Sequence, residues 1–94
     1  MRVEYTARAA SNLRKAIVNS RQEFGDRVAS ELAAYIRQTI ERLALHPESA
    51  PVVTQRPGLR AQSLGGRYPY VIFYRVFDDK IRIVHIRHAS RRSF

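Results

Sequence analysis

The run Tyr70–Phe77, YVIFYRVF, is followed by two aspartates and then by KIRIVHI. Successive side chains of an extended chain point to opposite faces. Tyr70, Ile72, Tyr74 and Val76 therefore share one side, and Val71, Phe73, Arg75 and Phe77 the other. Asp78–Asp79 supplies a tight turn and Ile81–Ile86 the returning strand. A two-stranded hairpin is at best marginally stable alone in water, and this one is apolar at most of its strand positions, so the remaining chain has to cover it.

Two helices are available to do so. Arg2–Tyr5 alternates, with Val3 and Tyr5 on one face, as a short strand does. Thr6 can cap a helix whose apolar positions are Ala10, Leu13, Ile17 and Phe24, and Gly25 is placed to end it. Asp26 then caps a second helix, with Val28, Leu32, Tyr35, Ile36, Ile40 and Leu43 at three-to-four spacing up to His46–Pro47, where proline stops it. Joined at one glycine, the two form an antiparallel hairpin. Residues 48–58 contain Pro51 and Pro57, follow Pro47 and have no helical period, so they form a loop. Leu59–Leu64 reads as a weaker strand and Gly65–Gly66 as a turn. The order is β-α-α-β-β-β. Residues 1–94 are expected to make one α+β domain, a helical hairpin packed on one face of a small, mostly antiparallel sheet. The other face would carry Val71, Phe73 and Phe77, with Val84 or Ile86. Such an apolar face is either a binding surface or is covered by the proline-rich loop or the C-terminal tail.

Charge is distributed unevenly. The net charge is +9, but residues 1–48 carry eight basic and six acidic side chains, and residues 49–94 nine basic and two acidic. Between Glu48 and Asp78 there is no carboxylate, and fifteen of the seventeen cations are arginine. Arginine suits planar contact with phosphate or carboxylate. A basic C-terminal half calls for an acidic partner, whether nucleic acid or protein.

Catalytic signatures are sparse. The chain has no cysteine, and His85 and His88, three apart on a strand, point to opposite faces, so no metal ligand set is expected. LGGR lacks the Lys-Ser/Thr ending of a phosphate loop and leads into a strand. Ser63, Ser90 and Ser93 show no triad pattern, and Asp78 and Asp79 read as turn formers. Arg67, Arg87, Arg91 and Arg92 can bind anions but cannot abstract a proton, which leaves His88 as the one residue suited to acid/base chemistry. The opening MRVEYTARAA lacks a signal-peptide apolar run, and no stretch is long enough to span a membrane, so a cytoplasmic location is expected.

From Gly58 to Arg92, GLRAQSLGGRYPYVIFYRVFDDKIRIVHIRHASRR, and above all in YPYVIFYRV, DD and IVHIRHASRR, the chain resembles the ParE/RelE superfamily of type II toxins. Over the rest the helices are compatible with it. The RelE-like branch cleaves messenger RNA on the ribosome without a metal. Its YoeB-type members have an arginine ahead of the central strand segment and end in a His-Tyr pair. Here the corresponding places hold Val71 and, after Arg87–His88, Ala89–Ser90; near Leu59–Leu64 there is Gln62 rather than a glutamate base, and Phe94 has no hydroxyl. The ParE-like branch needs none of these. It binds DNA gyrase and traps the cleaved-DNA intermediate. The resemblance therefore implies a ParE-like toxin without catalytic residues, metal or cofactor, held in check by a cognate, ParD-like antitoxin. A RelE-like ribonuclease using Arg67, Arg87 and His88 is the alternative. Target contacts are expected at Arg67, Arg87, His88, Arg91 and Arg92, with indirect contact to nucleic acid. Antitoxin contacts are expected at Val71, Phe73, Arg75 and Phe77 and along the outer side of the helical hairpin. A basic nucleic-acid-binding module that is not a toxin is a third reading.

Overall fold

A computed structural model describes residues 1–66 and 68–90. Strand β1 (Arg2–Tyr5) leads into helices α1 (Ala7–Phe24) and α2 (Asp26–Leu45), followed by strands β2 (Leu59–Ser63), β3 (Tyr70–Val76) and β4 (Lys80–His88). The sheet order is β1-β4-β3-β2. β4 pairs antiparallel with β3 and parallel with β1, and β2–β3 is antiparallel. The expected α+β architecture is therefore present. No described helix is long and apolar enough to cross a membrane.

Local chemistry accounts for the helix boundaries. Thr6 has an extended backbone, and its hydroxyl accepts from Ala9 N at 3.0 Å while donating to Val84 O at 3.2 Å. One side chain thus caps α1 and ties it to the sheet. Thr6→Ala is expected to cost about 1–2 kcal/mol, read as a lower urea midpoint with unchanged slope. Gly25 joins the helices at φ 91°, a backbone that favours glycine. Here the expectation for Asp26 is corrected. It is the first residue of α2 rather than its cap, with no side-chain cap bond, and it pairs with Arg21 at 3.1 Å.

The core lies between α2 and the sheet. Leu32, Ile36, Ile40 and Leu43 meet Ile72, Tyr74, Ile81, Ile83 and Ile86. On α1 the buried set is Ala9, Ala16 and Ser20, one position off the expected stripe. Ala10, Leu13 and Ile17 are half-buried, and Phe24 is 65% exposed. Small side chains let α1 approach closely, which a stripe of larger residues would prevent.

A bulge in β4 decides which residues face inward. Phe73 pairs with His85, but Tyr74 pairs with Ile83, leaving Val84 without a partner on β3. One extra residue reverses the alternation. Ile86 therefore joins Ile81 and Ile83 in the core, against the expectation that it could lie on the far face, and His85 moves outward.

The proline-rich loop closes the outer edge of β2. Ala61 N donates to Pro51 O at 3.0 Å and Val53 N to Leu59 O at 2.8 Å. Arg60 donates to Ala50 O, and the Tyr74 hydroxyl donates to Pro47 O at 2.8 Å. An exposed strand edge is a template for unwanted pairing, and this loop removes it.

Candidate functional site

Beyond Ile83, β4 has no β1 neighbour, because β1 ends at Tyr5 and Thr6 N donates to Ile83 O at 3.0 Å. From there α1 runs along the free edge of β4. Asn12 bridges the two: its Oδ1 accepts from Ile86 N at 3.1 Å and from His85 Nδ1 at 2.8 Å. Those two bonds assign the proton of neutral His85 to Nδ1.

His85 and His88 lie on opposite faces, as their spacing implies. His85 is buried and stacks on Phe73, ring centroids 5.8 Å apart. His88 pairs with Tyr70 on the helix side, with the rings edge-on at 5.2 Å. The Nδ1 of His88 accepts from both the amide (3.2 Å) and the hydroxyl (2.6 Å) of Ser90. No carboxylate bonds to His88 among the described residues. A general base is normally oriented by a third group, and among the described residues this imidazole is held by the Ser90 turn and the Tyr70 ring.

Two clefts meet at His88. The larger, of about 680 Å³, runs between the helix tips and the start of β3; Phe24, Val28, Leu32, Tyr68 and Tyr70 line it together with Glu23 and Glu31. The smaller, of about 360 Å³, follows the free edge of β4. Tyr70, Asn19 and His88 border both. Among the described residues, no three His, Cys, Asp or Glu side chains come together as a metal site would need.

Cations roof the far face of the sheet. Phe73 is only 3% exposed, with the Arg87 guanidinium 5.3 Å from its ring centre. Phe77, 37% exposed, lies under Arg82 at 4.6 Å and Lys80 at 5.6 Å. Glu4 binds both Arg82 and Lys80. Arg75 donates to Pro57 O at 2.9 Å. The face is thus less open and more basic than expected, because arginine side chains can lie flat over aromatic rings. Of the expected target contacts, Arg87 and His88 are adjacent in sequence but point to opposite faces. Arg67, Arg91 and Arg92 lie outside the described residues. The expected antitoxin contacts Val71, Phe73, Arg75 and Phe77 share the far face. Sequence reasoning missed the contribution of α1 and Tyr68. The polar spacing of Arg8, Asn12, Lys15 and Asn19 was visible, but not its partner.

Burial, with help from Arg8 and Arg87, holds the His85 pKa below the usual 6.5. Between those values the unfolded chain binds more protons than the folded one, so this contribution to stability is complete above about pH 6.5 and is lost as pH falls toward the depressed folded value. Glu4 adds a second step: Arg82 and then Lys80 hold its pKa below 4.5, a contribution present above 4.5 and lost below it. Urea midpoints are expected to fall between pH 7 and 5, and His85→Gln to flatten that first step.

Compared with known proteins, residues 3–93 match the family described as ParE toxin of the type II toxin-antitoxin system, parDE. The fold is similar to a chain of the chromosomal ParDE system from P. aeruginosa (TM-score 0.81, 23% identity, covering 96% of this chain and 97% of that one). It is also similar to the isolated E. coli RelE toxin (TM-score 0.71, 16% identity, covering 97% and 86%). Among curated proteins none matches the chain.

Proposed function

This chain belongs to the ParE toxin family of type II toxin-antitoxin systems, and from that premise we propose that it arrests growth by binding DNA gyrase and trapping the cleaved-DNA complex. The observation that carries this over message cleavage is the state of His88. Its Nδ1 is engaged by Ser90, no described carboxylate orients it, and Arg87 leaves on the other face. Gln62, where the ribonuclease branch would place an acid, donates to Ser63 O and has no other side-chain hydrogen bond among the described residues. Such a site suits binding through cations and aromatics better than proton transfer.

Target contact falls to Arg87 and His88, with Arg67, Arg91 and Arg92. A cognate ParD-like antitoxin neutralises the toxin by covering Val71, Arg75 and Phe77, with Phe73 lying beneath the Arg87 guanidinium, and the outer helical hairpin. An acidic segment that folds on binding fits this basic face, since charge speeds encounter and burial gives affinity. Induction in a host lacking the antitoxin, followed by detergent lysis, should enrich gyrase covalently attached to DNA. Growth arrest without such complexes, and with cut ribosome-bound messages, would transfer the assignment to the RelE-like activity.

A further inference from the structure

We propose that the cleft between α1 and the free edge of β4 binds a phosphate of a nucleic-acid backbone. Arg8, Asn12, Lys15 and Asn19 follow one another at four, three and four residues, which places them on one face of α1. With Arg87 and His88 they border a space of about 360 Å³ that has no carboxylate among its described lining residues. Neither Arg8 nor Lys15 forms an ion pair among the described residues.

Hydrogen-bond accounting makes the cleft a donor site. The Asn12 carbonyl oxygen is taken by Ile86 N and His85 Nδ1, so its amide NH2 is left to donate. Arginine and lysine have no acceptor to offer. A wall of cations and amide donors fits a ligand that only accepts, and phosphate oxygens meet that condition. The positive potential is already felt there, since Arg8 and Arg87 disfavour protonation of His85.

An acidic peptide strand is the competing occupant, because β4 has a free edge. Asn12, however, already takes the Ile86 N–H that an added strand would have to bond. The space also suits a phosphate with its sugar better than a helix. This inference does not depend on gyrase being the target, and its test uses the toxin alone.

The test compares Arg8→Gln/Lys15→Gln with a control of equal charge, Arg37→Gln/Arg42→Gln on exposed positions of α2. Binding to a fluorescent 12-nucleotide DNA, and to RNA of the same sequence, is followed by anisotropy across salt concentrations. The cleft variant should lose about tenfold in affinity and lower the salt slope by about 1–2, and the control should change less than twofold. Loss on one polymer alone identifies the source of the phosphate, and loss on both identifies the phosphodiester itself. In parallel, inorganic phosphate added to the wild-type protein should shift the side-chain amide signals of Asn12 and Asn19. Equal losses in the two variants, or amide signals unmoved by phosphate, overturn the proposal. So does loss of binding to an acidic peptide with nucleic-acid binding intact.

Discussion

Tyr74→Ala lowers stability by about 3–5 kcal/mol, whereas Tyr74→Phe loses only about 1–1.5 kcal/mol. Tyr74 is fully buried at the centre of β3, facing the helices among the core residues. Its ring fills the space beneath α2, and truncation leaves a cavity that the surrounding isoleucines cannot collapse to fill. The hydroxyl has a separate role. It donates to Pro47 O at 2.8 Å, fastening the loop that closes β2 just where α2 ends. Phenylalanine keeps the packing and leaves that carbonyl to find water. For a domain whose total stability is of the order of 5–15 kcal/mol, the alanine variant should unfold at a small fraction of the wild-type urea midpoint. Equal losses for the two variants would mean that the loop fastening, rather than core packing, holds this part of the fold.

Asn12→Ala is the second large effect, about 2–4 kcal/mol from one surface-helix side chain. Its carbonyl oxygen is the acceptor both for Ile86 N and for buried His85 Nδ1. Removing it leaves two donors at a partly buried strand edge, each costing about 1–3 kcal/mol when unsatisfied. Asn12→Asp retains an acceptor and should recover most of the loss. Amide exchange at Ile86, measured by NMR, should speed up in the alanine variant and remain slow in the aspartate variant. If alanine leaves that exchange unchanged, α1 is held to β4 by packing alone.

The sheet and the helical hairpin were legible because their signals are periodic. Tyr70–Val76 alternates, and the α2 stripe repeats at three to four residues through Leu32, Ile36, Ile40 and Leu43. The bulge at Val84 was not legible. It adds one residue without any composition signal, yet it decides that Ile86 is core and that His85 meets Phe73. The fate of Phe73 was hidden for a related reason. Alternation places it on the far face, but only the β3–β4 register brings His85 and Arg87 over its ring. On α1 the apolar letters drew attention to Leu13, Ile17 and Phe24, whereas packing favoured the alanines, since close approach to β4 and α2 leaves no room for more. The site divided in the same way. His88 was identified from its chemistry alone. Its partners Tyr70 and Ser90 were close in pairing or sequence, but Asn12 and Asn19 reach this end of the sheet only because β1 is four residues long and gives up the edge of β4.

Poisoning of gyrase by binding, rather than cleavage of messages, is the proposed action of this ParE-family toxin. The most direct measurement mixes the purified protein with gyrase from its own host, ATP and supercoiled plasmid, then digests with protease and looks for linear DNA. Linear product is expected that requires gyrase, disappears when the cognate antitoxin is added and persists in part with His88→Ala, since one contact among several is lost rather than a catalytic base. Unimpaired supercoiling with no linear product, together with message cleavage on ribosomes abolished by His88→Ala, would contradict it.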